Sequence, residues 1–184
     1  MCVFSLASQG VYETIQGEGH LLGQHMVFVR FGGCSVGCRF CDTDYRTAVF
    51  IEGDELAKTI NYFKSEWVWL TGGEPTDHNL ELLLDKILGK KIALATAGIR
   101  DITTISSYLS LLSVSPHRNP EGIHESIINC YVPFKQINLV PDLNGLVLDD
   151  WEGYDTSWAK EAWVTPRWDV HTNGPMNIDR CFGS

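Results

Sequence analysis

Three cysteines, Cys34, Cys38 and Cys41, fall inside the stretch "GCSVGCRFCDT" from Gly33 to Thr43. Spacings of four and three residues in a glycine-containing loop let three thiolates converge on one metal centre, and thiolates are ligands for both zinc and iron-sulfur clusters. A structural zinc would want a fourth Cys or a His. His20 and His25 precede the loop and His78 and His117 follow it, but neither upstream His stands at the short spacing usual for paired zinc ligands. A four-iron cluster held by three cysteines leaves one iron open to an outside ligand. The spacing therefore admits a catalytic three-cysteine cluster, a Cys3His zinc site or unligated thiols. Cys2, Cys130 and Cys181 are scattered and read as small core fillers, not as a disulfide framework.

A second segment, Thr71-Gly72-Gly73-Glu74-Pro75, has two adjacent glycines. They allow the backbone to approach a ligand closely or to take positive φ, although Gly-Gly followed by Pro also marks ordinary turns. Both segments need elements to place them. "MVFVRF" (26–31) is a β-rich run leading into the cysteine loop, and "WVWLT" (67–71) leads into the glycine pair. Further strands are expected at 92–96, 111–115, 134–140 and 162–165, with helical patterns at 54–64, 80–88, 99–108 and 123–130. Strands alternating with helical segments imply parallel βα units. About six such units are too few for a closed eight-stranded barrel of roughly 250 residues. The expected fold class is α/β, a partial, open barrel of (β/α)6 type, reduced in helices, with residues 1–184 as a single domain. In parallel α/β architectures chemistry gathers at the C-terminal ends of strands. The cysteine loop, "TGGEPT", "ATAGI" and "SPHRNP" each follow a strand, which makes one shared site the natural expectation.

Bulk properties narrow the function classes. Of the 184 residues, 14 are Lys or Arg and 23 are Asp or Glu, for a formal charge of -9. That balance argues against an electrostatic grip on nucleic acid. It leaves room for a small anionic substrate met by a few local cations. No apolar run reaches the roughly 18 to 20 residues of a membrane span, and the N-terminus lacks signal-peptide character; a cytoplasmic protein with no membrane partner is expected. Trp158, Trp163 and Trp168 read as core or interface packing, not as a base-stacking platform.

The motif Cys34-x-x-x-Cys38-x-x-Cys41 resembles the signature of radical S-adenosylmethionine enzymes. In that superfamily the open iron chelates S-adenosylmethionine, and the reduced cluster cleaves it to a 5′-deoxyadenosyl radical that abstracts hydrogen from the substrate. "ETIQGEG" (13–19), Arg30, Gly33-Cys34, "CDTDY" (41–45) and the TGGEP loop together resemble 7-carboxy-7-deazaguanine synthase. The cysteine spacing is superfamily-wide; the combination over residues 13–45 is far more specific. The resemblance implies a carbon-nitrogen lyase. Its reaction contracts 6-carboxy-5,6,7,8-tetrahydropterin to 7-carboxy-7-deazaguanine with loss of ammonia, using a 4Fe-4S cluster, S-adenosylmethionine and Mg2+ in 7-deazapurine biosynthesis of the queuosine type. It further implies an external electron donor such as flavodoxin and a homodimer.

Carried over by position, Cys34, Cys38 and Cys41 hold the cluster and Thr43 ligates Mg2+. Phe40, Cys41, Asp42, Gly73, Ser115, Pro116 and His117 line S-adenosylmethionine. Ile15, Gln16, Gly17, Arg30 and Thr71 contact the pterin, with the Arg30 guanidinium suited to its carboxylate. Two departures stand out. Where the family has Glu-Thr-x-Gly this chain has Ala95-Thr96-Ala97-Gly98, and where it has Ser-Pro-Lys this chain has Ser115-Pro116-His117. The loop also leaves two alternatives: a glycyl-radical activase of the same superfamily, which needs neither the Gln16–Glu18 segment nor Thr43, and a zinc-stabilised binding module.

Overall fold

The chain is described by a computed structural model covering residues 2–38, 41, 43–44, 48–116, 122–139, 155–165, 168–169 and 174–175. In chain order its elements are β1 (Val3–Ile15), β2 (His25–Phe31), β3 (Ala48–Glu52), α1 (Gly53–Tyr62), β4 (Trp67–Gly72), α2 (Glu81–Leu84), β5 (Lys91–Thr96), β6 (Leu109–Val114), α3 (Glu125–Asn129), β7 (Phe134–Leu139) and β8 (Glu161–Val164). A short ribbon of β9 (Trp168–Asp169) and β10 (Gly174–Pro175) follows.

The first eight strands form one sheet in the order β3-β1-β2-β4-β5-β6-β7-β8. From β2 to β8 all pairings are parallel, so the six strands expected from sequence form the parallel core. β1 and β3 were not among those expectations; they extend the sheet antiparallel beyond β2. With few helices over an open sheet, the fold is the expected partial barrel.

The central parallel strands β2, β4, β5 and β6 bury residues on both faces, which is why their sequences are near-continuous apolar runs. One face carries Val27, Val29 and Phe31 of β2, Val68 and Leu70 of β4, and Leu112 and Val114 of β6, packed with Leu56 and Ile60 of α1 and Phe4 and Leu6 of β1. The alternate positions point to the opposite face, where Met26, Trp69, Ala93 and Leu111 form a smaller apolar cluster flanked by Phe28 and Phe134. Toward the C-terminal ends this second face turns polar, through Arg30 (β2), Thr71 (β4), Ser113 (β6), and Gln136 and Asn138 (β7).

Two expected helices shrink. Residues 80–88 yield only the single α-turn Glu81–Leu84. Residues 99–108 form turns ending in a 3-10 turn at Ser106–Tyr108, because the Asp101 carboxylate takes the Thr103 N–H (2.8 Å) and hydroxyl (2.6 Å), offering the backbone a local alternative to the helix. Trp158 packs against the main core, Trp163 is half-exposed and donates from its indole to Glu161 at 2.9 Å, and Trp168 lies in β9. No helix among the described residues is long and apolar enough to cross a membrane.

Candidate active site

The cysteine loop leaves β2 at Phe31 and is held from several sides. Gly32 exchanges two hydrogen bonds with Ser5 of β1, its N–H to the Ser5 carbonyl and its own carbonyl receiving the Ser5 hydroxyl, both at 2.8 Å. His78 Nε2 also lies 3.0 Å from the Gly32 carbonyl, its ring against Phe31 at 4.8 Å. Further along, both the N–H and the hydroxyl of Ser35 donate to Asp77 at 2.8 Å, and Arg100 pairs with the same carboxylate at 2.9 Å. Burial pushes the Asp77 carboxyl up, but the Ser35 hydrogen bonds and Arg100 outweigh it and hold the group below the ordinary aspartate range.

Cys34 and Cys38 are half-buried and Cys41 is exposed. Cys41 N–H reaches back to the Cys38 carbonyl at 3.4 Å. Among the described residues no three His, Cys, Asp or Glu side chains are already gathered around a point that could hold an ion. The donor set nonetheless suits a three-cysteine cluster: three thiols on one short loop, anchored on both flanks. The histidines weighed as a fourth zinc ligand are engaged elsewhere: His78 with Gly32, His25 with Ser65 at 2.9 Å, and His20 with Glu161 at 3.2 Å. His117 lies outside the described residues, as do Phe40 and Asp42.

The glycine pair after β4 has a geometric cause. Gly72 sits at φ 110, and a Cβ at Gly73 would lie 1.6 Å from the Gly33 carbonyl oxygen. Only with glycine there can the β4 loop lie directly on the cysteine loop. The contact is fastened by Gly73 N–H to the Phe31 carbonyl at 2.8 Å and Glu74 N–H to the Gly33 carbonyl at 3.2 Å. Glu74 itself is 1% exposed. Its Oε1 accepts from the Thr76 N–H (3.0 Å), the Thr76 hydroxyl (2.6 Å) and the Thr96 hydroxyl (2.7 Å), and its Oε2 from the Ala97 N–H (2.8 Å). This carboxylate ties the β4 loop to the end of β5. Thr96 in turn accepts from the Ser115 N–H at 2.8 Å through its carbonyl, bringing half-buried Ser115 and buried Pro116 onto the same rim.

Of the five expected substrate residues, Arg30 and Thr71 sit in this ring of strand ends, whereas Ile15, Gln16 and Gly17 lie toward the other end of β2, where Ile15 pairs with His25. Arg30 and Thr71 are direct neighbours in the β2–β4 register. Arg30 donates through Nη1 to Gln9 at 2.9 Å and through Nη2 to the Thr43 hydroxyl at 2.5 Å, while its Nε is buried with no partner. Gln16 is 4% exposed; its Oε1 accepts from Gly17 N–H at 2.9 Å and its Nε2 is a second buried, unpartnered donor. Gly17 is exposed, and Ile15, ending β1, is 63% exposed. Sequence reasoning missed Ser113, Gln136 and Asn138, a buried polar trio on the same face joined by amide-to-hydroxyl and amide-to-amide hydrogen bonds of 3.0 to 3.3 Å. They belong to no motif; the signal available was a run of alternating polar residues in an otherwise apolar strand, "FKQINL".

Comparison with known proteins places this arrangement among relatives. No family model matches the chain. A 7-carboxy-7-deazaguanine synthase of Neisseria meningitidis serogroup B is 37% identical over 172 residues, covering 91% of this chain and 76% of that protein. Synthases of the same name from Haemophilus influenzae (31% over 138 residues) and Bacteroides thetaiotaomicron (34% over 94 residues) also match. The alignment covers 73% of this chain in the first case and 50% in the second. The chain spans 63% of the Haemophilus protein and about half, 52%, of the Bacteroides one. Among solved structures, QueE from Escherichia coli superposes with a TM-score of 0.65 at 21% identity, over 84% of this chain and 79% of that one.

Proposed function

The chain belongs to the 7-carboxy-7-deazaguanine synthase family, and on that premise we propose that it contracts 6-carboxy-5,6,7,8-tetrahydropterin to 7-carboxy-7-deazaguanine with release of ammonia. The observation that carries the proposal is the seating of the Gly72-Gly73 turn on the cysteine loop, within 1.6 Å of a hypothetical Cβ. It joins the two cofactor motifs into one rim beside Arg30 and Thr71.

In this reading Cys34, Cys38 and Cys41 hold a 4Fe-4S cluster. Gly73, Ser115 and Pro116, together with Phe40, Asp42 and His117, line S-adenosylmethionine. Cluster and cofactor, when bound, supply one-electron chemistry that starts the reaction by hydrogen abstraction. The protein's own residues position and shield. Arg30 is held in place by Gln9 and Thr43 with a buried N–H to spare, which suits a carboxylate. Gln16 offers a buried amide donor for a ring acceptor. The Thr43 hydroxyl, which receives Arg30, is an oxygen of the kind that Mg2+, a hard oxygen-seeking ion, would take as a ligand. Two cations side by side repel, so a substrate carboxylate beside Arg30 and Thr43 would offset the charge that Mg2+ would add there. An external electron donor and a second copy of the chain complete the proposal.

The test is anaerobic reconstitution with iron and sulfide, followed by incubation with the pterin, S-adenosylmethionine, Mg2+ and a reductant. A deazaguanine product is expected. Its absence, under conditions where an established synthase turns over, would overturn the proposal.

A further inference from the structure

The segment between β1 and β2, residues 16–24, does more than connect a hairpin. It reaches strands at the far side of the sheet. His20 N–H donates to Gln136 Oε1 of β7 at 2.9 Å across 116 residues of sequence. The His20 ring stacks on Phe134 of β7 with centroids 3.8 Å apart, and its Nδ1 lies 3.2 Å from Glu161 of β8. Thr165, just past β8, donates its hydroxyl to Glu18 at 3.1 Å. Gly19 lies so close that a Cβ there would fall 2.4 Å from Gln136 Nε2.

Three contacts from this loop to the adjacent strands β7 and β8, and a fourth to the residue that follows β8, form a clasp across the open side of the partial barrel. Gln136 is its fixed half. It is 1% exposed and its amide nitrogen donates to Ser113 and Asn138 at 3.0 and 3.3 Å, which leaves Oε1 aimed at the loop. A side chain locked by its neighbours in this way can set the place of whatever hydrogen-bonds to it. What it sets is the loop carrying Gln16, whose Nε2 is a buried donor without a partner among the described residues.

We infer that Gln136 is a positioning residue for substrate recognition: through Gly19 and His20 it holds the loop that presents Gln16 to the pterin. This rests on the function proposed above for Gln16. It predicts that loss of the clasp weakens the pterin and spares the cofactor, because the cysteine loop is anchored separately by Ser5, His78 and Asp77.

The experiment compares the reconstituted protein with Gln136→Ala, Gln136→Glu and Gly19→Ala. Three quantities are read: pterin affinity, the change in the reduced cluster's EPR spectrum on adding S-adenosylmethionine, and hydrogen exchange of the His20 amide. Gln136→Ala and Gly19→Ala should each weaken the pterin about tenfold, the order expected for one hydrogen bond to a buried partner. Both should expose the His20 amide to exchange and leave the spectral response unchanged. Gln136→Glu keeps an acceptor for His20 but loses both amide donations to Ser113 and Asn138, so it should recover only part of the affinity. A spectral response lost in step with pterin affinity, or a His20 amide still protected in Gln136→Ala, would overturn the inference. If the unaltered protein binds no pterin, the proposed function fails instead, and the His20 exchange still decides whether the clasp exists.

Discussion

Replacing Glu74 by Gln exchanges one oxygen for an NH2 group and removes a charge, and the structure says what that costs. The carboxylate is 1% exposed and receives four donors, three at Oε1 and the Ala97 N–H at Oε2. An amide has a single acceptor oxygen. Keeping that oxygen at the Oε1 position turns the NH2 group toward the Ala97 N–H, donor against donor; the opposite orientation sets it against three donors. The milder choice forfeits one charge-assisted hydrogen bond of about 1.5–3 kcal/mol and leaves a buried N–H unpaired at about 1–3 kcal/mol. The easier burial of a neutral amide offsets part of this, for a net loss of about 2–4 kcal/mol. Urea unfolding of the cluster-free protein under anaerobic, reducing conditions measures it. With a slope of about 2 kcal/mol/M for a chain of this size, the midpoint should fall by about 1–2 M. A fall below about 0.3 M would refute the reasoning, since it would mean the four donors find equal partners without the carboxylate.

Gly73→Ala should lose iron retention and the spectral response to S-adenosylmethionine, since a Cβ 1.6 Å from the Gly33 carbonyl must part the two loops; unchanged iron content and response would count against the shared rim. Asp77 contributes a pH dependence of definite sign. Its carboxyl is held below the ordinary range, so its contribution to stability is full above the unfolded value of about 3.9 and is lost as pH falls through the lower folded value. Thermal midpoints measured from pH 6 down to pH 2 should therefore show a shallower acid decline for Asp77→Asn, and identical profiles would mean that Ser35 and Arg100 do not engage it in solution.

The parallel core was legible because strands buried on both faces must be written as short apolar runs, and "MVFVRF", "WVWLT" and "KIALAT" leave little else to be. β1 was not, although it is the longest strand among the described residues. Ser8, Gln9 and Gly10 interrupt its pattern, and its pairing with β2 shifts register between Leu6 and Val11, with Gly10 at φ 60, so no single alternation runs its length. β3 is a five-residue edge strand whose Val49 and Phe50 stay exposed, and it has no polar face to betray it. At the site, the cysteines, glycines and Arg30 were readable because their chemistry or conformation demands particular residue types. Gln136 was hidden for the opposite reason. Its role depends on a loop 116 positions away, and no local pattern encodes which strand that loop will meet.

The clasp also fixes an order of assembly. Ribosomes add about 5–20 residues per second, so His20 waits on the order of ten seconds for Gln136 to be synthesised after it. During that interval the hairpin exists without β7 and β8, the strands its loop will clasp. Contacts between distant parts of a chain form late because the intervening loop must first be closed against its entropy. The clasp is thus completed only when the last parallel strands dock, and until then the loop at residues 16–24 stands without its anchor on Gln136.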